Sequence, residues 1–278
     1  MPPRLSVIVV VRNEERDLPG CLASVAFADE LVVVDAQSTD RTREIAEQAG
    51  ARVFVRAWPG HAAQKQFALE QATGDWVLNL DADERCSAEL RAAIPQLLED
   101  GTAEGYRIRF RTWVFGRRQR FGMRWTERHL RLFRREKGSF PPRAIHECAE
   151  VSGRAPAVDA PILHFTYDSL EKFVDKINRY SSLAARERFA QGRRFSYFSL
   201  WRWPWGFFKR YVLWLGFLDG WDGLLHAAIS GLYDLLKYAK LRDLQHAARL
   251  SGKLSDEEER GASETSEASG GSSNAAAG

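Results

Sequence analysis

The chain has 278 residues, 45% of them hydrophobic, which supplies one α/β core plus an appendage and excludes a wholly disordered chain. Its net charge of +3 is nearly neutral, so the overall balance points to no polyanionic partner. The three cysteines, Cys21, Cys86 and Cys148, are odd in number and lack a Cys-x-x-Cys spacing, which fits a reducing compartment and speaks against a disulfide frame or a zinc site.

In chain order, Leu5–Val11 is a nearly continuous β-branched run, the pattern of a strand buried on both faces. Its apolar part is too short for a signal peptide and is followed at once by Arg12-Asn13-Glu14-Glu15-Arg16. A short helix is predicted over Leu18–Val25. Leu31–Val34 repeats the strand pattern and ends in Asp35. The loop Asp35–Asp40 offers N-cap residues for a helix over Arg41–Ala49, which Gly50 stops. Arg52–Val55 reads as a strand, Ala62–Ala72 as a helix and Trp76–Leu80 as a fourth strand. Strands alternating with helices predict a mostly parallel central sheet with helices on both faces. No G-x-G-x-x-G follows the first strand, which argues against a dinucleotide-binding domain.

The fourth strand runs into Asp81-Ala82-Asp83. In an open α/β sheet, ligands bind at the C-terminal ends of the strands. Arg12-Asn13-Glu14, Asp35, Asp81 and Asp83 all fall on that edge. Two carboxylates there suit Mg²⁺ or Mn²⁺, which keep waters and take substrate phosphates as further ligands. A nucleotide lying across the edge needs an acceptor for a uracil N3–H or ribose hydroxyls, which Asp35 supplies. It also needs a metal against its diphosphate, which Asp81 and Asp83 hold.

Beyond this point the character changes. Ser87 opens a helix over Ala88–Asp100, and short β-like pieces follow at Tyr106–Arg111, His129–Phe133, Ala144–Val151 and Ile162–Phe165. From Arg107 to Arg135 arginines are frequent and the single acid is Glu127. Interleaved aromatics such as Phe110, Trp113 and Trp125 suit stacking on single-stranded nucleic acid. No RNA-binding signature accompanies them, and anionic sugar phosphates account for the arginines as well, so no nucleic-acid partner is expected. Asp168-Ser169-Leu170-Glu171 is a capping box, opening a helix with Phe173, Ile177, Tyr180 and Ala184 on one stripe and Gly192 as its stop.

From Phe195 onward Trp201, Trp203, Trp205 and Trp214 crowd near Lys209 and Arg210. Such mixtures mark a membrane–water interface, with a helical pair packed on the core as the plainer alternative. Asp219, Asp222, His226 and Asp234 interrupt the apolar stretch Tyr211–Tyr238, so no spanning helix is expected. The composition of Ser251–Gly278 predicts disorder. The expected organisation is a catalytic domain over 1–192, an aromatic and basic helical region over 193–250 that associates with a membrane, and a tail over 251–278.

Three segments together carry a resemblance: Ser6–Glu14, Val34–Asp40 and Asp75–Glu84. With them the chain resembles family 2 glycosyltransferases of the GT-A fold. Arg128–Arg135, Ile145-His146-Glu147 and Lys176–Ser181 are similar to the subgroup containing lipopolysaccharide core β-1,4-glucosyltransferases, and the likeness covers residues 4–245. It implies an inverting hexosyltransferase that uses a UDP-sugar, a divalent metal and a lipid-linked glycan acceptor, peripheral on the cytoplasmic face of the inner membrane. Asn13, Glu14 and Asp35 match nucleotide-sugar contacts, with Asp35 on the uracil. Asp81 matches the residue near the ribose and Asp83 the stronger metal ligand, joined by His164 as the C-terminal metal ligand. Lys65 and Arg131 match diphosphate contacts. Glu147 matches the catalytic base, although the family's usual Glu-Asp stands here as His146-Glu147-Cys148. A polyprenyl-phosphate glycosyltransferase and a non-catalytic sugar-nucleotide-binding scaffold are the competing readings.

Overall fold

The computed structural model describes residues 1–122, 128–141, 149–167 and 169–270; for 251–270 and Tyr167 only the backbone is described. The chain divides into two compact units, Met1–Phe173 with Arg210–His226, and Val174–Lys209 with Ala227–Gly278. This division differs from the expected cut at residue 192, because 210–226 groups with the first unit.

In the first unit, β1 (Leu5–Val11), β2 (Glu30–Asp35), β3 (Arg52–Val55) and β4 (Trp76–Asp81) form a parallel half-sheet in the order β3-β2-β1-β4. Their connections are α1 (Leu18–Ser24), α2 (Thr42–Gln48) and α3 (His61–Gln71). Alternate residues serve opposite layers, as the strand period of two requires. Val7, Val9 and Val11 pack in one core with Leu18, Leu22, Trp76, Leu78 and Leu90, whereas Ile8 packs in the other with Val32, Val34, Leu69, Val77 and Phe133. Each such side chain buried contributes about 1.5–3 kcal/mol. Gly74 lies just before β4, where a Cβ would stand 2.8 Å from the Ser6 amide nitrogen and 2.9 Å from the Arg4 carbonyl oxygen, so only glycine fits.

The second half of the sheet contains β5 (Glu84–Cys86), β6 (Gly105–Val114), β7 (Arg117–Arg118) and β8 (Arg128–Arg134), with α4 (Ala88–Glu99) between β5 and β6. A separate ribbon pairs β9 (Gly138–Ser139) with β10 (Glu150–Val151), and β11 (Ala157–Tyr167) completes the main sheet. Its order is β3-β2-β1-β4-β8-β6-β11-β5, with β7 on β6. The sheet is therefore mixed, not mostly parallel: β8 is antiparallel to both β4 and β6, and β5 is antiparallel to β11. Antiparallel returns need no crossover helix, which is why helix–strand alternation stops after α4.

Residues 210–226 hold to the first unit by specific contacts. The Asp219 carboxylate accepts the Arg120 and Phe121 amides at 3.0 and 2.7 Å, and Arg117 pairs with Asp222 at 3.3 Å. A Cβ on Gly223 would stand 1.9 Å from the Gly216 carbonyl oxygen, so the chain closes there on a glycine.

The second unit contains α5 (Leu170–Ala190) beyond Phe173, a 3₁₀ turn over Tyr197–Trp201, α6 (Arg202–Phe208) and α7 (Gly220–Gly270) from Ala227 onward. Ser169 caps α5 by accepting the Lys172 amide at 3.2 Å, while Asp168 of the expected capping box lies outside the described residues. The expected stripe on α5 is shifted. Phe173, Ile177 and Ala184 are buried, but Tyr180 is exposed and Ser181 takes the inward position. The i, i+4 step from Ile177 falls on Ser181. There Lys240 Nζ donates to the Ser181 and Ser182 hydroxyls at 2.8 Å and to Asn178 Oδ1 at 2.6 Å. α7 continues helically to Gly270, past the point where composition predicts disorder. Among the described residues, no helix is long and apolar enough to cross a membrane.

Candidate active site

Parallel register brings the expected carboxylates together. Val11 pairs with Asp35 on one side of β1, and Val10 pairs with Asp81 on the other. Two acids separated by much of the N-terminal sequence thus flank the C-terminal end of one strand.

On the β2 side, Asp35 is 1% exposed and both carboxylate oxygens accept the Ser38 amide, at 3.2 and 3.1 Å, with the Ser38 hydroxyl donating as well. The loop after β1 is laced to this one. Asn13 stands at a φ of +56°, its amide donates to Ser38 Oγ at 2.9 Å, and its Oδ1 accepts the Thr39 amide at 2.8 Å. The Glu14 amide donates to Thr42 Oγ1 at 2.7 Å. Burial raises the Glu14 pKa to about 7, and the nearby negative charges of Asp83, Asp17 and Asp40 add to the effect against Lys172. The loop after β1 therefore shares an electrostatic field with the acids after β4.

On the β4 side, each Asp81 oxygen has a cation. Lys65 Nζ on α3 reaches Oδ1 at 2.7 Å, and the Arg131 guanidinium on β8 reaches Oδ2 at 3.0 Å. Burial alone would raise the Asp81 pKa, but Lys65 and Arg131 outweigh it and hold the carboxyl well below its ordinary range. Arg131 also pairs with Glu84 at 2.5 Å, and Glu84 accepts the Asp81 amide at 3.0 Å. Glu84 is only 1% exposed, and burial pushes its pKa above the usual carboxylate range. Its role as the inner anchor of this network was not assigned from sequence. It stands on β5, a strand of three residues, too short for a periodic signal.

Strand β11 supplies the remaining group. His164 pairs in register with Glu84, and its Nε2 lies 3.3 Å from Asp83 Oδ2. The Phe165 amide donates to the Asp83 carbonyl at 2.8 Å, which fixes the two residues side by side. Burial opposes a charge on His164, but Asp83, Glu84 and Asp81 outweigh it and raise its pKa. One aromatic ring backs the site, since Phe110 packs against His164 with centroids 5.4 Å apart and lies 5.2 Å from the Arg131 guanidinium.

Seven of the expected residues, Asn13, Glu14, Asp35, Lys65, Asp81, Asp83 and Arg131, thus line or support one strand-end edge, and His164 joins them from β11. Glu147 lies outside the described residues, as does most of the expected piece Ala144–Val151. Among the described residues, no group of three or more His, Cys, Asp or Glu side chains is arranged around a common metal position. Asp83 and His164 nevertheless make a fitting pair of donors for a divalent ion, because a carboxylate and an imidazole stand adjacent and a diphosphate completes such a shell. Asp81 fits less well as a metal ligand than expected, since both its oxygens already hold cations.

A parallel half-sheet that gathers carboxylates, a lysine and an arginine at its C-terminal edge, extended by antiparallel strands, defines a GT-A-like α/β fold. The chain belongs to glycosyl transferase family 2, whose family model matches residues 6–152. Along most of its length it is 32% identical to the lipopolysaccharide core biosynthesis glycosyltransferase LpsC of Rhizobium meliloti, covering 91% of this chain and 96% of that protein. It is 30% identical to an uncharacterized glycosyltransferase of Rickettsia typhi, covering 88% of this chain and 89% of the other. Among solved structures, TarS 1–349 of S. aureus in complex with UDP is similar at 20% identity and a TM-score of 0.45, covering 65% of each chain.

Proposed function

We propose that this glycosyltransferase moves a sugar such as glucose from a UDP-sugar to a lipid-anchored glycan such as a lipopolysaccharide inner core. The observation that carries the reading is the Lys65–Asp81–Arg131–Glu84 network beside Asp83 and His164, in a chain similar to LpsC over nearly its whole length. Asp35, released from one Ser38 contact, accepts a hydrogen bond from the uracil or ribose. Asn13 and Glu14 close the same side of the nucleotide. Lys65 and Arg131 face a diphosphate with preformed positive charge, kept in place by Asp81 and Glu84, so little reorganisation is needed as the leaving group gains charge. A Mg²⁺ or Mn²⁺ ion held by Asp83 and His164 would neutralise further charge on the leaving UDP.

Inverting transfer needs a carboxylate that takes the acceptor proton as its oxygen attacks the anomeric carbon. Glu147 is the proposed base. The aromatic and basic stretch from Phe195 onward is proposed to hold the enzyme at the cytoplasmic face of the inner membrane, where a lipid-borne acceptor presents its sugar.

The test is a panel of UDP-sugars, assayed for UDP release with and without EDTA, first with water and then with a lipid-linked glycan as acceptor. Metal-dependent release from one donor, accelerated by the glycan, is expected. Acceleration by a polyprenyl phosphate in place of the glycan would overturn the acceptor assignment. UDP binding with no turnover of any donor would overturn the enzyme reading itself.

A further inference from the structure

The unit formed by Val174–Lys209 and Ala227–Gly278 carries two recesses to which the proposed sugar transfer assigns no role. The first, about 290 Å³, is lined by Phe189, Gly192, Arg193, Arg194, Gln245 and Arg249. It arises where α5 ends. Gly192 turns at a φ of +69°, and the Gly192 and Arg193 amides close the turn on the Phe189 and Arg188 carbonyls at 3.0 and 2.9 Å. Gln245 on α7 fixes the turn from the other side. Its Nε2 donates to the Arg193 carbonyl at 2.8 Å, and its Oε1 accepts the Phe195 amide at 3.1 Å. One helical turn further on, Arg249 shares the face of Gln245.

Three arginines thus line one small recess, and all three are exposed. Among the residues whose side chains are described, no carboxylate forms an ion pair with any of them. Like charges that line one recess repel, an anion among them relieves that repulsion, and guanidinium matches phosphate oxygens two at a time.

The second recess, about 420 Å³, is walled by Tyr197, Phe198, Leu200, Trp201, Trp203 and Pro204. Tyr197 and Phe198 are 73% and 83% exposed. Phe195 joins the two recesses: its amide is held by Gln245, and its ring meets Tyr197 edge-on with centroids 5.2 Å apart. A cationic recess and an open aromatic one therefore lie on either side of a single residue.

We infer that together they bind a phosphate-bearing amphiphile, with Arg193, Arg194 and Arg249 on the phosphate and the aromatic recess on the adjoining apolar portion. The inference rests on the membrane attachment proposed above and narrows it from a surface to a site. A small soluble phosphate would use only the first recess and leave the second without an occupant.

The test is flotation of the full chain with vesicles of phosphatidylcholine alone, with phosphatidylglycerol, and with phosphatidic acid, plus calorimetry with soluble glycerol phosphate. The variants are R193Q/R194Q/R249Q, Y197S/F198S, and a charge-matched control, R43Q/R91Q/R107Q, each checked for an unchanged melting temperature. Capture by the two anionic vesicles is expected to fall roughly tenfold to a hundredfold in the first variant, to fall also in the second, and to persist in the control. Equal losses in R193Q/R194Q/R249Q and the control would overturn the site while leaving the attachment reading intact. A wild-type chain that floats with no vesicle would overturn the attachment reading, and the site with it. Saturable glycerol phosphate binding that is lost with the arginines and unchanged in Y197S/F198S would assign a soluble phosphate instead and overturn the amphiphile.

Discussion

The strand-end edge and the aromatic stretch between Tyr197 and Trp221 are built on opposite terms. At the edge, Asp35, Asp81 and Glu84 each have a named partner, and the residues around them are largely buried. In the aromatic stretch, Phe198 and Trp221 are 83% and 69% exposed, and the backbone breaks into a 3₁₀ turn, a short helix, a π-helical turn over Lys209–Leu213 and another 3₁₀ turn over Gly216–Asp219. Chemistry needs groups held still before the substrate arrives, and a rigid hydrogen-bonded frame supplies that. Capture of a soft, variable surface needs apolar area left open, at the cost of exposing it to water. One chain carries both arrangements, and they should fail in different ways.

The largest expected effect is on the edge. EDTA should abolish turnover and Mn²⁺ or Mg²⁺ restore it, and Asp83→Ala should cost several kcal/mol of transition-state stabilisation, measured as kcat/KM. Full activity in EDTA would break the contrast, since the edge would then act without the ion proposed for it. Next, Glu147→Gln should lower kcat by roughly 10²–10⁴ while UDP binding by calorimetry is unchanged. Near-normal rates in that variant would move the base to another carboxylate.

Arg131→Met sharpens the contrast through stability. It leaves Glu84 buried without its cation, which costs about 3–5 kcal/mol in denaturant unfolding, and a second change, Glu84→Gln, should recover much of that. If the double variant is no more stable than the single, the two residues do not act as a buried pair. In the aromatic stretch a comparable loss is not expected from any one tryptophan.

A smaller effect comes from His226, stacked on Phe173 at 5.9 Å, where burial and then Arg210 lower the pKa from 6.5 to about 4. The folded chain keeps this imidazole neutral while the unfolded chain protonates it. Its contribution is therefore complete above pH 6.5, is lost as the pH falls from 6.5 to 4, and amounts to at most about 3 kcal/mol. The wild-type stability curve should fall across that window relative to His226→Phe. Parallel curves would show that the imidazole is protonated to the same extent in the folded and unfolded chains across that window. The smallest effect belongs to removal of 251–278, after which UDP release and vesicle capture should match the full chain.

Much of the edge was legible because parallel β-strands announce themselves. Leu5–Val11, Leu31–Val34 and Trp76–Leu80 are apolar runs, and whatever follows such a run lies at a strand end. Asp35, Asp81 and Asp83 were placed by that logic alone. Lys65, Arg131 and His164 were reached through family resemblance, since nothing in local periodicity says that an arginine on β8 returns to a carboxylate on β4. Glu84 escaped assignment because its role depends on a three-residue strand pairing with a distant partner. Asp219 was read as an obstacle to membrane crossing, whereas its carboxylate holds two loop amides. The interrupted helices of the aromatic stretch were not legible either, because apolar composition fixes what is exposed without fixing the path of the backbone.

The course of the chain between the two units has a consequence for how this protein can be divided. The first unit takes residues up to Phe173 and then again from Arg210 to His226, with the second unit's residues before and after that return. The polypeptide therefore passes from one unit to the other three times, and no single cut yields either one complete. A gene shortened after Arg194 would lack Asp219 and Asp222, which hold the loop at 117–122, and its product would be a damaged transferase rather than a transferase without an anchor. Loss or exchange of one unit in evolution would need breakpoints at all three junctions. Such a chain is inherited and mutated as a whole, even though two separate tasks are proposed for it.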